Sequence, residues 1–262
     1  MRCAVLGTTF GGLAMAWRLM KLGHDVWLVA TEAEEAARLR EEAQERLLCT
    51  IHASYAVRRA DVVVIGDECL NHCGQWARGE FPSAGMKAKV DLKAKGGMGE
   101  NTQAGGVGGA GSIVRRDSDS LLQRLATWLT PLLAPHASVI LAAEVEPGTT
   151  ARLRTELALH MQAEHTMAYV PLIAFSGNGP LVLGTSNGVP CPHMVKLFAP
   201  FQRAVCFTKD SVAEHYAALA IGGANRLRRP MLNDEAELEA CRLWRAHQQV
   251  WLQDVELWRG LE

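Results

Sequence analysis

No stretch of the sequence approaches the roughly 18 consecutive apolar residues of a membrane-spanning helix, so no helical span is expected. Neither charge is in excess. Lys and Arg number 27 against 28 Asp and Glu, leaving a formal charge of −1. Without a basic surplus the chain is a poor match for nucleic acid or an acidic membrane surface. A disulfide framework is missing too: the seven cysteines are odd in number and scattered, which fits reduced thiols in a cytoplasmic protein. No serine sits in a nucleophile-elbow sequence, which argues against a Ser-His-Asp triad. Arg2, the apolar run behind it and Ala14-Met15-Ala16 imitate a secretory leader, but Gly7, Gly11, Gly12 and two threonines interrupt the run.

What is present is an alternation of short buried strands and helices. At 262 residues and 48% hydrophobic, the chain can bury a sizeable core as one large domain, or one domain plus an appendage. Arg2 to Leu6 reads as a strand, Gly7-Thr8-Thr9-Phe10-Gly11-Gly12 as a glycine-rich turn, Leu13 to Leu22 as a helix and Asp25 to Ala30 as a second strand. That order within about 30 residues opens a dinucleotide-binding unit. Glycine lets the backbone approach a pyrophosphate closely, and the helix behind it aims its free N–H groups at the anion. A cofactor there, NAD or NADP, would meet Gly7, Thr8, Thr9, Phe10, Gly11 and Gly12, Ala30 and Thr31 at the end of the second strand, and Gly66 at the end of a later one. Two departures stand out. Thr9 replaces the middle glycine, and Ala30 replaces the acid that holds a ribose hydroxyl.

Thr31 to Gln44 is a helix former throughout, with Glu32, Glu34 and Glu35 near its start. Leu47 to Ile51 is a short strand, Tyr55 to Arg59 a turn of helix, and Ala60 to Gly66 a β-branched run typical of a buried parallel strand. Residues 67–119 show no sustained periodicity, and Gly96 to Gly111 holds eight glycines. Such a stretch is expected to be a mobile insertion. Its Lys87, Lys89, Lys93 and Lys95 could contact phosphates or simply face solvent. Within it Cys69, His72 and Cys73 offer three soft ligands in five residues, but no second ligand pair is evident to complete a zinc site.

Order resumes at Ser120 with the amphipathic spacing of Leu121, Leu122, Leu125, Trp128, Leu129 and Leu132. A strand at Ser138 to Ala143, a helix at Ala151 to Gln162, strands at Met167 to Val170 and Leu181 to Thr185, and a helix at Val195 to Phe201 follow. Ala204 to Thr208 reads as an edge strand and Ser211 to Ile221 as a helix. Beyond Asn233, a helix cap, Trp244, Trp251 and Trp258 recur every seven residues. This aromatic stripe wants a partner surface, either its own sheet or, as we favour, a second copy or another protein. The expected fold is a Rossmann-type, doubly wound, mostly parallel α/β sheet over 1–210, with the insertion at 67–119 and a helical extension at 211–262 as a dimer or partner interface.

In this order the motifs resemble the UDP-glucose/GDP-mannose dehydrogenase family. Gly7-x-x-Phe10-x-Gly12-Leu13 with Leu22-Gly23-His24-Asp25-Val26 is similar to its opening motif, and Ala60-Asp61-Val62 to its fourth strand. Val145-x-Pro147-Gly148-Thr149-Thr150 is similar to its S-T-V-P-x-G-T loop, and Leu183-Gly184-Thr185, Leu197 to Phe201, Thr208 to Ser211 and Tyr216 to Ala220 are similar to its later strands and the start of its central helix. The resemblance implies two NAD-linked hydride transfers on a nucleotide-sugar alcohol, with a thiolate to trap the aldehyde, an acid/base, and a lysine and asparagine at the oxyanion. Carried over residue by residue, these are lost. Glu144 stands for the threonine of S-T-V-P, Leu172 for the glutamate of N-P-E-F, His215 for the lysine and Leu219 for the asparagine. The loop ending in Y-E-P-G-L and the C-terminal nucleotide-sugar domain have no counterpart. Cys206-Phe207-Thr208-Lys209-Asp210 is similar to the family's C-F-P-K-D nucleophile motif in a rival register, where Cys206 is either the nucleophile or a buried strand residue. Glu144 and Glu146 are either an acid/base pair or repellents of an anionic cofactor.

Two functional readings follow. In the first, the chain is a truncated, catalytically inactive relative that serves as a binding or assembly partner, by analogy in polysaccharide biosynthesis. In the second, it is an active NAD(P)-dependent UDP-glucose 6-dehydrogenase-type oxidoreductase, alone or completed by a second chain.

Overall fold

In the computed structural model, residues 1–43, 47–70, 110–160, 165–171, 180–201, 204–222, 235–244 and 246 are described. The first half runs β1 (Arg2–Leu6), α1 (Phe10–Lys21), β2 (Asp25–Val29), α2 (Ala33–Glu42), β3 (Leu48–Thr50), α3 (Ala53–Arg59) and β4 (Val62–Gly66). The second half runs α4 (Ala110–Leu129), β5 (Ser138–Ala142), α5 (Thr149–His160), β6 (Met167–Tyr169), β7 (Leu181–Thr185), α6 (Pro192–Phe198), β8 (Val205–Lys209) and α7 (Asp210–Gly222), with a last helix α8 at 235–244. The strands form one eight-stranded sheet in the order β3-β2-β1-β4-β5-β6-β7-β8. Every neighbouring pair is parallel except β6 and β7. The architecture is therefore a Rossmann-type α/β fold with a mostly parallel sheet.

Both faces of the sheet are covered, which explains why its strands carry unbroken apolar runs rather than alternation. Cys3 and Val5 of β1, Val62 and Val64 of β4, and Ile140 and Ala142 of β5 face α1, α2 and α6. Ala4 and Leu6, Val63 and Ile65, and Val139 and Leu141 face α3, α4, α5, α7 and α8. The helices apply matching stripes: Met15, Ala16 and Leu19 of α1 on the first face, and Leu122, Leu125, Ala126 and Leu129 of α4 on the second. Burying one such leucine contributes on the order of 2 kcal/mol. Among the described residues no helix is long and apolar enough to cross a membrane.

Several helices start earlier than the sequence reading, among them α1 at Phe10 rather than Leu13. Helix α4 begins at Ala110, ten residues before Ser120. Residues 110–119 carry Arg115, Arg116 and Asp117 and little apolar repeat, so no helical period is visible there in the sequence. Helix α6 begins at Pro192, three residues before Val195, with Cys191 as its cap accepting from the Met194 N–H, and it ends at Phe198 rather than Phe201. Proline at the first helical position was the available signal. Residues 67–70, which the sequence left in the insertion, are helical. Positions 71–109 lie outside the described residues.

Candidate functional site

Strands β1 and β4 are neighbours, but the chain leaves them for opposite faces: α1 packs on one and α4 on the other. The carboxyl ends of these two strands therefore flank a topological switch point, where open α/β sheets bind ligands.

The glycine turn is built for that place. Gly7 has φ +107°, a conformation other residues adopt only under strain, and its N–H donates to the Val29 carbonyl of β2 at 3.0 Å. A Cβ on Gly12 would lie 2.2 Å from the Gly7 oxygen, so the first turn of α1 rests directly on the loop. Gly66, at the end of β4, faces Gly12 across the same contact; a Cβ there would lie 3.4 Å from the Gly12 Cα. Thr9, in the middle position, is exposed and caps α1 without a side-chain hydrogen bond, and α1 has no acid in its first turn. Phe10 and Gly11 are the first two residues of that helix. Two of the three glycine roles survive, the tight turn and the helix-on-strand contact. The third, close backbone approach to a pyrophosphate, falls to a threonine.

A carboxylate of the chain itself lies across the mouth of this turn. Glu68 Oε2 accepts from the Thr8 N–H at 2.7 Å and from Thr8 Oγ1 at 3.1 Å, while its Oε1 accepts from Thr31 Oγ1 at 3.1 Å. Glu68 stands just past the end of β4 and Thr31 just past the end of β2, with β1 between those two strands. The side chain thus spans the carboxyl end of β1, and its Cβ lies 3.1 Å from where a Gly7 Cβ would be. Ala30 beside it is fully buried and offers no polar atom of its own side chain. The residue before Glu68 adds to the acidic rim: Asp67 accepts from the Glu144 N–H at 2.8 Å, and burial raises its carboxyl above the ordinary range.

A second acid occupies the other loop on this edge of the sheet. Glu214 of α7 is 1% exposed. It accepts from the Gly148 N–H at 2.5 Å, the Thr150 N–H at 2.7 Å and Thr150 Oγ1 at 2.6 Å, closing the N-terminus of α5. Burial raises its carboxyl, and the three donors pull the other way. Tyr169 lies nearby, fully buried, with its hydroxyl donating to the Ala143 carbonyl at 3.2 Å. Burial, then Glu214, Asp67 and Glu144, hold its phenol above the usual value, so it stays protonated.

The other candidates are dispersed. Glu144 has an exposed side chain, and its part in the structure is the backbone donation to Asp67. Cys206 lies on the edge strand β8, half-buried, where burial and then Glu239 push its thiol up. Cys69 is fully buried in the core, while His72 and Cys73 lie outside the described residues, as does Leu172. Among the described residues no group of three His, Cys, Asp or Glu could hold a metal ion. His215 contacts the Ser211 carbonyl one turn back at 2.7 Å, and Leu219 packs in the core. Trp244 meets Tyr216 edge-on with ring centroids 5.8 Å apart; Trp251 and Trp258 lie outside the described residues. A cleft of about 630 Å³ opens at the opposite end of the sheet, beside the start of β5 and β6 and the end of β7. Its one guanidinium, Arg154, is held by Asp210, whose side chain is 10% exposed.

The sequence reading did not single out Glu68 or Glu214. For Glu68 a signal existed: an acid two residues past a buried strand at the ligand-binding end of the sheet. Glu214 carried none, since an acid inside a helix is ordinarily solvated.

Comparison with solved structures places this arrangement. A UDP-glucose dehydrogenase from the hyperthermophilic archaeon Pyrobaculum islandicum superposes with a TM-score of 0.54 at 17% identity, over 82% of this chain and 48% of that one. The fold is shared with nucleotide-sugar dehydrogenases. A GDP-mannose dehydrogenase from Pseudomonas aeruginosa gives 0.53 at 13% identity, over 87% and 51% of the two chains. A UDP-D-ManNAc dehydrogenase from Pyrococcus horikoshii gives 0.51 at 17% identity, over 83% and 49%. The chain spans about half the length of these proteins, and at such identities the likeness is one of fold. No protein-family model matches the sequence, and no curated protein matches it.

Proposed function

We propose that the protein is a non-catalytic member of this fold group that acts as a binding or assembly partner in polysaccharide biosynthesis. The observation that carries the reading is the separation of the chemical groups. Cys206, the one thiol in a nucleophile-like motif, sits on β8, five strands from β1, about 24 Å across the sheet at the usual strand spacing. Its raised thiol keeps it in the poor-nucleophile form. Trapping an aldehyde beside a bound nicotinamide needs the thiolate within bonding distance of the same carbon, and a thiol on the edge strand, five strands from the pyrophosphate turn, supports the non-catalytic reading.

In this reading residues 1–210 form the nucleotide-type scaffold and 211–262 carry the partner surface, through Trp251 and Trp258 of the repeat, since Trp244 is taken up by Tyr216 of the same chain. The protein is cytoplasmic, and it carries out no turnover of NAD or NADP. Incubation of the wild-type chain with NAD or NADP and UDP-glucose, followed by absorbance at the reduced-nicotinamide band, tests the central claim. No reduction is expected; sustained reduction by this chain alone overturns it. Trp251→Asp is expected to lower the mass in solution by light scattering, and an unchanged mass removes the proposed surface.

A further inference from the structure

Resting on the non-catalytic reading, we infer that Glu68 is a built-in occupant of the dinucleotide crevice, so that the Gly7–Gly12 turn is a latent site for diphosphate-bearing nucleotides which this one carboxylate keeps closed. The geometry is specific. A dinucleotide extended over a switch point lies along the carboxyl ends of the strands flanking it. Glu68 crosses those ends, rooted after β4 and anchored at Thr8 after β1 and Thr31 after β2. It takes the Thr8 N–H, a backbone donor of the glycine turn, and sets a formal negative charge at the mouth of a loop whose helix N-terminus favours anions. An incoming phosphate must displace the carboxylate or sit beside it, and like charges a few ångström apart in a half-buried site repel strongly.

The remaining parts of the cradle are intact, which makes the closure local. Gly7 keeps its positive φ, and Gly12 and Gly66 keep the contact that draws α1 onto the strand ends. Helix α1 carries neither a side-chain cap at Thr9 nor an acid in its first turn, so its own N-terminus has not been closed from within. Glu68 and its partner Thr31 are half-buried, whereas Glu214, the acid in the neighbouring loop, is sealed in the core. Only the former can be moved aside without opening the fold. Thr9 limits how closely a pyrophosphate can approach, so the opened site is expected to bind, but weakly.

Calorimetric titration of wild type, Glu68→Gln and Glu68→Ala with NAD and with ADP-ribose decides the matter, alongside thermal unfolding of each variant. Wild type is expected to give no isotherm at millimolar ligand. Glu68→Ala is expected to bind both probes at least tenfold more tightly, and Glu68→Gln, which loses the charge but keeps the bulk, to fall between. ADP-ribose lacks the nicotinamide, so equal gains for the two probes place the effect on the adenosine diphosphate half. Two results overturn the inference: folded variants that bind no better than wild type, or a wild type that binds NAD and loses affinity on Glu68→Ala. The second would make the carboxylate a ribose-hydroxyl acceptor standing in for the acid that β2 lacks. Turnover by wild type would sink both readings, since it needs an open cofactor site, whereas folded variants that bind no better than a turnover-free wild type sink only the closure, so the two failures are separable.

Discussion

Two loops at the carboxyl edge of the sheet lead into helices, α1 after β1 and α5 after β5, and each is met by a glutamate from elsewhere in the chain. They look alike in hydrogen bonds and differ in burial. Glu214 reaches the α5 loop from a packed helix, is 1% exposed, and takes three donors, two of them from the fully buried Thr150. Glu68, half-buried, reaches the α1 loop from the residues after β4 and takes three donors, two from Thr8 and one from the half-buried Thr31. The first acid has become part of the core; the second occupies a crevice. Identical chemistry thus serves architecture in one loop and occupancy in the other, and desolvation decides which.

The largest effect is expected from breaking the buried member. Glu214→Ala leaves the Gly148 and Thr150 N–H groups and the Thr150 hydroxyl without their acceptor in the core and opens a cavity between α5 and α7. A loss of about 4 kcal/mol is expected from orphaned buried donors plus lost packing. Urea unfolding measures it, and a loss under about 1 kcal/mol would show that water reaches the loop after all. Next comes the surviving glycine contact beneath Glu68. Gly12→Ala places a Cβ 2.2 Å from the Gly7 carbonyl oxygen, which neither backbone can accommodate in place. A cost of about 3 kcal/mol is expected, at the upper end for overpacking, and the same denaturant series reads it.

A pH series sharpens the contrast with a smaller signal. Burial raises the Glu214 carboxyl above its ordinary value of 4.5, so between that value and its folded-state value the native protein binds more protons than the unfolded chain. Stability then falls as pH rises through that window. Asp67, raised by burial, adds a slope of the same sign, and Asp61, lowered on balance by its bonds to Arg2, contributes the opposite slope at lower pH. Glu214→Gln is expected to cost stability but to flatten the decline above pH 4.5. A decline unchanged in the variant would assign it to Asp67.

How far these features were legible in the sequence follows from the range over which each is encoded. The alternation of β1 through β4, the turn at Gly7–Gly12 and the missing β2 acid at Ala30 are local, so the residue pattern displayed them. The reversal at β7 was hidden, because a strand buried on both faces has no period-two signature and reads the same in either direction. The two glutamates were hidden for a different reason. The bond from Thr8 to Glu68 closes a separation of 60 residues and that from Gly148 to Glu214 one of 66, distances at which periodicity says nothing. Sequence reasoning instead weighed Glu144, whose side chain turned out exposed, because it sits inside the loop motif. The loops could be found from the sequence. Which acids fill them could not.

The smallest stability effect is expected where the functional one is largest. Glu68→Ala removes one carboxylate from Thr8 and Thr31; Thr31 and Glu68 are half-buried and Thr8 is 9% exposed, so water can follow the departing carboxylate to the released donors. The cost should match that of losing a solvent-accessible cap, about 1 kcal/mol or less. Urea unfolding of Glu68→Ala beside Glu214→Ala, in one buffer, gives the ratio directly. A ratio of fourfold or more in favour of Glu214 supports the division between a structural acid and an occupying one. Equal costs would mean that Glu68 is as deeply committed to the fold as Glu214, and a carboxylate so committed could not be the removable part of a latent site.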